Sequence, residues 1–278
     1  MIAISGTTTI TGIFGHPVSH TLSPAMHNAA FDELGMNWRY LPFHVAPERL
    51  GEAVAGIRAL GLRGVNVTVP HKEAVMRHLD RIDDEAGRIG AVNTIVNDDG
   101  VLTGHNTDGR GFVKSLEERG ITVGGRRIAM LGAGGAARSV AFSLLASGAA
   151  SIHIANRTVS RAASLADDLN RIRHAVTAAS EIGSLSGFDI LVNTTSLGLH
   201  PEDALPVDTA MLNNEIAVCD LIYNPAETPL LAAARRLGAK TVNGLGMLLW
   251  QGAVAFRLWT GAEPPVDVMR RALEAGLA

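Results

Sequence analysis

Cysteine is nearly absent from the chain. Cys219 is the only one in 278 residues, which excludes an internal disulfide and any metal framework built on cysteine. Long apolar runs are lacking too. The most apolar stretch, residues 244–256, is shorter than the roughly 18–20 residues that span a bilayer, and Gln251 interrupts it. The start of the chain has no basic region of the kind a signal peptide carries, since Arg39 is the first Lys or Arg. A formal net charge of -3 gives no general attraction to nucleic acid, because phosphate backbones are bound by clustered Lys and Arg. No metal-ligand set is present: His16 and His20 are four apart, but the Gly15 and Pro17 around His16 make a loop there. These absences predict a cytoplasmic protein with neither nucleic acid nor membrane as partner.

What is present is ordinary globular material. An apolar fraction of 47% suffices for a full core, and 30 glycines suit tight turns and close helix–strand contacts. The length suggests two domains, on a prior of roughly 150 residues each. Residues 10–14 read as a strand. Ser23-Pro24 reads as a helix start, with Ser as N-cap and Pro in the first helical position. Helices are expected over 25–34 and 47–60, and a further one near Lys72. Residues 64–69 alternate as a strand that ends at Pro70. Asn97-Asp98-Asp99-Gly100, between two β-rich runs, is a hairpin signal. From Gly109 onward strands at 127–131, 151–155, 189–193 and 217–221 mix with helices, which implies parallel βαβ units. Helices over 245–259 and 266–275 complete the chain.

Gly132-Ala133-Gly134-Gly135-Ala136-Ala137 fits G-x-G-x-x-A between a predicted strand and a predicted helix. In that setting the glycines admit a pyrophosphate close to the backbone, and the helix N-terminus supplies N–H groups and positive dipole. The next strand ends in Asn156-Arg157-Thr158, with Arg161 one turn on. An NAD site commonly places Asp or Glu here to hold the ribose 2′-hydroxyl. With no carboxylate and two guanidiniums, a 2′-phosphate fits better, so NADP is favoured. The alternative is a pair of solvated arginines at a helix start.

The first hundred residues carry Ser19-His20-Thr21-Leu22-Ser23-Pro24, then Asn66-Val67-Thr68-Val69-Pro70-His71-Lys72. Gly90-Ala91-Val92-Asn93-Thr94 and Asn106-Thr107-Asp108-Gly109 follow. Such clusters of hydroxyls, amides and few charges suit a polyhydroxylated acid. With Asn156-Arg157-Thr158 and Gly244-Leu245-Gly246-Met247, they closely resemble the shikimate dehydrogenase family, in order and over essentially the whole chain. The resemblance implies an α/β protein with a substrate-binding catalytic domain over residues 1–108, completed by C-terminal helices at 245–278. A Rossmann-type, doubly wound NADP-binding domain over 109–244 completes the arrangement, with the active site in the cleft between the two. It implies NADPH-dependent reduction of 3-dehydroshikimate to shikimate, in the route to chorismate and aromatic amino acids, by a monomer or homodimer.

Carried over position by position, Lys72 matches the family's catalytic lysine and Asp108 its carboxylate partner. Hydride transfer at substrate C3 must be coupled to movement of the hydroxyl proton, because an uncompensated alkoxide is costly. Lys72 serves either as that acid and base or as a fixed positive charge. Thr21 and Ser23 match two serines that bind the substrate carboxylate; Thr21 departs by a methyl group, which bears on acceptance of quinate. Asn66, Thr68, Asn93, Gln251 and Tyr223 match the remaining substrate contacts, and Gly244 and Met247 the nicotinamide pocket. Thr194, Thr195 and Ser196 match a loop against the cofactor's adenosine side. Taken singly, Lys72 reads as a solvated lysine, Asp108 as a turn residue and Met247 as core; their joint order points to a site. The alternatives are an NAD-preferring quinate/shikimate dehydrogenase and a catalytically silent NADP sensor. Retention of both Lys72 and Asp108 argues against the sensor.

Overall fold

Strand-forming and turn-forming residues alternate through the first hundred positions, and they fold into a mixed sheet. In the computed structural model, which describes residues 3–200 and 202–277, the chain divides into two units. One comprises the residues up to Thr107 together with those from Gln251 onward, and the other Asp108–Trp250. In the first unit, β1 (Thr9–Gly15), α1 (Ser23–Glu33), β2 (Trp38–His44), α2 (Leu50–Ala59) and β3 (Gly64–Val67) come first. After them run β4 (Arg81–Ile82), α3 (Asp84–Ile89), β5 (Thr94–Asp98) and β6 (Val101–His105). The sheet order is β2-β1-β3-β5-β6-β4, with β3, β5 and β6 antiparallel in sequence and the other pairs parallel.

The hairpin signal is read correctly. Asp98 pairs with Val101, leaving Asp99 and Gly100 as a two-residue turn with φ of 50° and 92°, the double positive φ that Asp-Gly tolerates. Three other expectations change. Residues 47–60 split into a 3₁₀ turn, Pro47–Arg49, followed by α2. No α-helix begins at Lys72: the His71 N–H bonds Thr68 C=O at 2.9 Å, and only a 3₁₀ turn, Ala74–His78, follows. Ser23 does not cap α1. Leu22 holds the cap position without a side-chain bond, and Thr21 Oγ1 accepts from the Ser23 N–H at 3.3 Å. Ser23 itself is buried, at the first position of α1.

The first unit packs α1 beneath β2. His27 on α1 is buried and stacked on Tyr40, with ring centroids 4.5 Å apart and 12° between planes, and it also faces Phe256 and Trp259. Neither ring nitrogen has a hydrogen-bond partner. Burial lowers its pKa from 6.5 to about 3, so the imidazole is neutral in the fold but takes up a proton in the unfolded chain below about pH 6.5. The stability it provides is complete above 6.5 and falls as pH drops toward 3. Between pH 6.5 and 5 the loss is about 2 kcal/mol, at 1.36 kcal/mol per unit. Denaturant titrations at both pH values should show His27→Phe losing about 2 kcal/mol less than the parent; parallel losses would remove His27 as the cause.

The second unit contains α4 (Asp108–Glu118), β7 (Arg127–Leu131), α5 (Gly135–Ala146), β8 (Ser151–Ala155) and α6 (Val159–Asn170). It continues through β9 (Val176–Ala179), β10 (Ile190–Asn193), β11 (Ala217–Asp220), α7 (Pro229–Arg236) and β12 (Thr241–Val242). Its sheet is all parallel among the described residues, ordered β12-β11-β10-β7-β8-β9. Parallel strands are covered on both faces, and alternate residues obey this. Ile128, Met130, Ile190 and Val192 enter one cluster, while Ala129, Leu131 and Leu191 enter the other. Helix α8 (Gly244–Thr260) runs across the division at Trp250, and α9 (Val266–Ala275) packs on α1 in the first unit. No helix among the described residues is long and apolar enough to cross a membrane.

Candidate functional site

In the first unit the polar residues singled out from sequence gather at the ends of β3 and β5. Asn66 on β3 accepts from the Tyr40 hydroxyl at 2.8 Å. Its Nδ2 donates to Asn93 C=O at 3.2 Å and to Thr94 Oγ1 at 3.0 Å. Asn93 Oδ1 accepts from Thr94 Oγ1 at 3.0 Å and from the Thr107 N–H at 2.8 Å, and Asn93 Nδ2 donates to Thr107 Oγ1 at 2.9 Å. All of these residues are buried, and buried amides need such partners. Asn106 adds a bond from its Nδ2 to Ala91 C=O at 2.9 Å. The turn into α4 is thereby fixed one residue before Asp108, itself only 4% exposed.

Lys72 is half-buried. Its carbonyl accepts from the Val92 N–H at 2.8 Å, while the neighbouring His71 ring meets Val45 C=O through Nε2 at 2.7 Å. The main chain beneath the ammonium is therefore held from two sides. Thr68 bonds back to Phe14 C=O at 2.9 Å, and its methyl lies where a Cβ on Gly15 would be. Thr21 is half-buried beside Ser23. Gln251 is 8% exposed in α8, whose Gly252 allows close approach to Met26 and His27 of α1.

In the second unit the remaining residues lie at the carboxyl ends of the parallel strands. Gly132 has φ of 105°, and a Cβ there would collide with the Thr194 hydroxyl, so only glycine fits. The Gly132 N–H bonds Ala155 C=O at 2.8 Å, and Thr194 Oγ1 bonds Leu131 C=O at 2.6 Å. Ala133 to Ala136 lead into α5 with half-exposed backbone. This is the switch point between β7 and β10, where open α/β sheets bind ligands. A pocket of about 650 Å³ lies beside it, lined by Asn156, Arg157, Ser180, Thr195 and Ser196 among others. Arg157, Thr158 and Arg161 are exposed, and among the described residues neither arginine pairs with a carboxylate.

Two strand-end loops are tied together by a residue the sequence reading passed over. Asp220 is 1% exposed and accepts from Asn193 Nδ2 at 3.1 Å, the Ile222 N–H at 3.1 Å and Thr228 Oγ1 at 2.8 Å. Asn193 Oδ1 in turn accepts from the Thr195 N–H and hydroxyl at 3.1 and 2.7 Å. Burial raises the Asp220 carboxyl above its ordinary value, against the effect of these bonds. Tyr223 follows in the same loop, with its phenol raised by burial. Gly244 sits where a Cβ would strike Leu221 C=O, and Met247 packs into the core of this unit. Tyr40 was also missed; its only sequence signal is polarity beside apolar neighbours, and Asn66 is distant in the chain. Thr107 stood in the Asn106-Thr107-Asp108-Gly109 motif without a role of its own. Among the described residues no group of three or more His, Cys, Asp or Glu could hold a metal ion.

A parallel sheet of this order with a glycine turn at its switch point defines a dinucleotide-binding α/β protein. Family models agree on what accompanies it. Residues 13–95 match the shikimate dehydrogenase substrate binding domain, 115–201 the shikimate/quinate 5-dehydrogenase model and 244–274 the shikimate 5′-dehydrogenase C-terminal domain. The chain is 50% identical over 276 residues to "Shikimate dehydrogenase (NADP(+))" of Carboxydothermus hydrogenoformans, covering 97% of this chain and 98% of the relative. It superposes on the crystal structure of a shikimate dehydrogenase in complex with NADP+ at a TM-score of 0.94, with 44% identity and coverage of 99% and 98%. It also superposes on 5-ketofructose reductase of Gluconobacter at 0.89, with 40% identity and coverage of 98% and 99%. The chain belongs to the shikimate dehydrogenase family.

Proposed function

We propose that this chain is an NADP-dependent shikimate dehydrogenase that interconverts shikimate and 3-dehydroshikimate, on the biosynthetic route to chorismate and aromatic amino acids. The observation that carries the reading is the set of buried hydroxyls and amides around Asn66 and Asn93, polar chemistry suited to a small polyhydroxylated acid. The near full-length relatives named for that activity support it. The dinucleotide fits the second unit: a Cβ on Gly134 would meet no protein atom within 4 Å, so the loop is open to a pyrophosphate there, Thr195 and Ser196 line the adjoining pocket, and Arg157 and Arg161 are available to a 2′-phosphate. When bound, NADP supplies the hydride acceptor or donor at its nicotinamide ring.

The chain's own residues do the rest. Ser23 and Thr21 hold the substrate carboxylate; Asn66, Thr68, Asn93, Tyr223 and Gln251 hold its hydroxyls. Lys72 takes the C3 hydroxyl proton during oxidation and returns it during reduction, with Asp108 orienting it. Gly244 and Met247 shape the nicotinamide pocket. The enzyme works in the cytoplasm as a monomer or homodimer.

Nicotinamide absorbance tests this directly, with purified protein given shikimate, quinate or 5-ketofructose, each with NADP(H) and NAD(H). Turnover confined to shikimate and NADP is expected. Preference for quinate or NAD would transfer the protein to the quinate/shikimate branch and implicate the Thr21 methyl. Preference for 5-ketofructose would make it a ketose reductase on the same fold, as its similarity to that enzyme allows. Cofactor binding without any turnover would leave a sensor.

A further inference from the structure

Asp220 is 1% exposed, and among the described residues no Lys, Arg or His pairs with it. A buried carboxylate of that kind is costly unless its lone pairs are taken up. Three donors from three segments take them up: Asn193 Nδ2, the Ile222 N–H and the Thr228 hydroxyl. Packing alone would be served as well or better by an apolar side chain. What calls for an explanation is therefore the tie that the carboxylate makes.

The strands set up this tie. Asn193 and Asp220 are paired in register at the carboxyl ends of β10 and β11, so both side chains leave on one face of the sheet. Asn193 Oδ1 accepts from the Thr195 N–H, which can only donate. That assigns the amide hydrogens to the other side, where Nδ2 donates to Asp220 and to Leu197 C=O, each at 3.1 Å. Position 220 thus faces two obligate donors, the Asn193 amide and the Ile222 N–H. The Ile222 C=O in turn accepts from the Gly244 N–H at 3.0 Å, at the start of α8. The segment with Thr195 and Ser196 and the segment with Tyr223 are fastened at one carboxylate, and the segment with Gly244 joins them through the Ile222 backbone.

We propose that Asp220 is a positioning residue that sets the loop gripping the cofactor's adenosine side against the residues that hold its nicotinamide ring and the substrate. This rests on the proposed roles of Thr195, Tyr223 and Gly244. A dinucleotide must be held at both ends for C4 of its nicotinamide to stand correctly over the substrate, and a misplacement of about 1 Å can cost about 100-fold in rate. The loops at the two ends belong to different strands, and Asp220 is where their side-chain bonds converge. At 1% exposure it offers neither ligand a surface of its own.

Asp220→Ala releases the loops from each other. NADPH affinity, read from the fluorescence of the bound nicotinamide without turnover, should fall about tenfold, as expected where hydrogen bonds to a charged group are lost. NADH affinity should fall by the same factor, because both cofactors share the part that Thr195 meets. With shikimate and NADP, kcat should also fall about tenfold. Asp220→Asn separates the tie from the charge. Its oxygen still accepts from Asn193 and Ile222, and its amide can donate to the Thr228 oxygen, so affinity and kcat should stay within about threefold of the parent. Thr228→Val, which removes the α7 cap and leaves the other two bonds, should lower the melting temperature with NADPH affinity within about twofold. Parent-like affinity and kcat in Asp220→Ala would overturn the proposal and leave the dehydrogenase reading intact. So would a loss in Asp220→Asn equal to that in Ala, which would make the charge the active feature, or an equal loss in Thr228→Val, which would make it stability alone. A parent that binds NADPH but does not turn over shikimate would instead overturn the dehydrogenase reading, while the affinities still report on Asp220. If Asp220→Ala does not fold, Asn193→Ala breaks the same tie from the Thr195 side; a tenfold loss of NADPH affinity supports the proposal, and parent-like affinity overturns it.

Discussion

Replacing Lys72 with Ala is expected to lower kcat about 10²–10⁴-fold, the usual worth of a positioned acid or base, with the NADP KM unchanged. The main chain at this position is held independently of the side chain, by the Val92 N–H on the Lys72 carbonyl and by His71 on Val45. Truncation therefore removes the ammonium without releasing the turn that carries it. Single-turnover reduction of 3-dehydroshikimate, followed by loss of NADPH absorbance, measures the effect on the chemical step. Turnover within fivefold of the parent would end the assignment of Lys72 to proton handling. Lys72→Arg separates the two roles left open for the lysine. Guanidinium keeps the positive charge but does not give up its proton in this pH range. Recovery of most of the rate by Arg would make Lys72 a fixed charge; a rate as low as that of Ala would make it the proton carrier.

The second large effect concerns the cofactor. Arg157→Ala should lower kcat/KM with NADP about 10–100-fold and leave the value with NAD within twofold. A charge-assisted hydrogen bond is worth about 1.5–3 kcal/mol, and each 1.4 kcal/mol is tenfold. Arg161→Ala should act in the same direction. The two together should give less than the product of their separate effects, since one phosphate would meet both. The prediction depends on both guanidiniums being exposed, Arg157 lining the pocket with Asn156 and Thr195, and on neither pairing with a carboxylate among the described residues. Equal losses with NADP and NAD would show that the arginines support the loop rather than select the phosphate.

The parts of this fold that were legible in sequence are those whose signals lie close together in the chain. Asp99-Gly100 makes its turn, and the glycine loop falls between β7 and α5, because steric limits on φ act within a few residues. Ser23-Pro24 and Thr228-Pro229 show where that locality ends. Both pairs look like helix starts, yet only the Thr228 hydroxyl caps, accepting from the Leu231 N–H at 3.3 Å. Ser23 instead lies one residue inside the helix and is buried, with Leu22 in the cap position. Helix α7 was missed although it carried the cap signal, and the short strands β4, β9 and β12 were missed because they carry little pattern of their own. The candidate site divides the same way. Motif order picked out Asn66, Asn93 and Lys72, whereas Tyr40 and Asp220 emerge only from contacts between segments apart in the chain.

The division of the chain also bears on how it is made. The first unit is sequence-discontinuous: Phe256 and Trp259, which cover His27, and Trp259, whose indole N–H bonds Ile95 C=O at 3.0 Å, belong to residues from Gln251 onward. The second unit, Asp108–Trp250, is continuous. On a ribosome adding about 5–20 residues per second, the opening sheet therefore waits roughly 7–30 s for its closing helix, with the whole of the second unit emerging in between. During that interval the nascent chain exposes the aromatic face of α1 around His27 and Phe31.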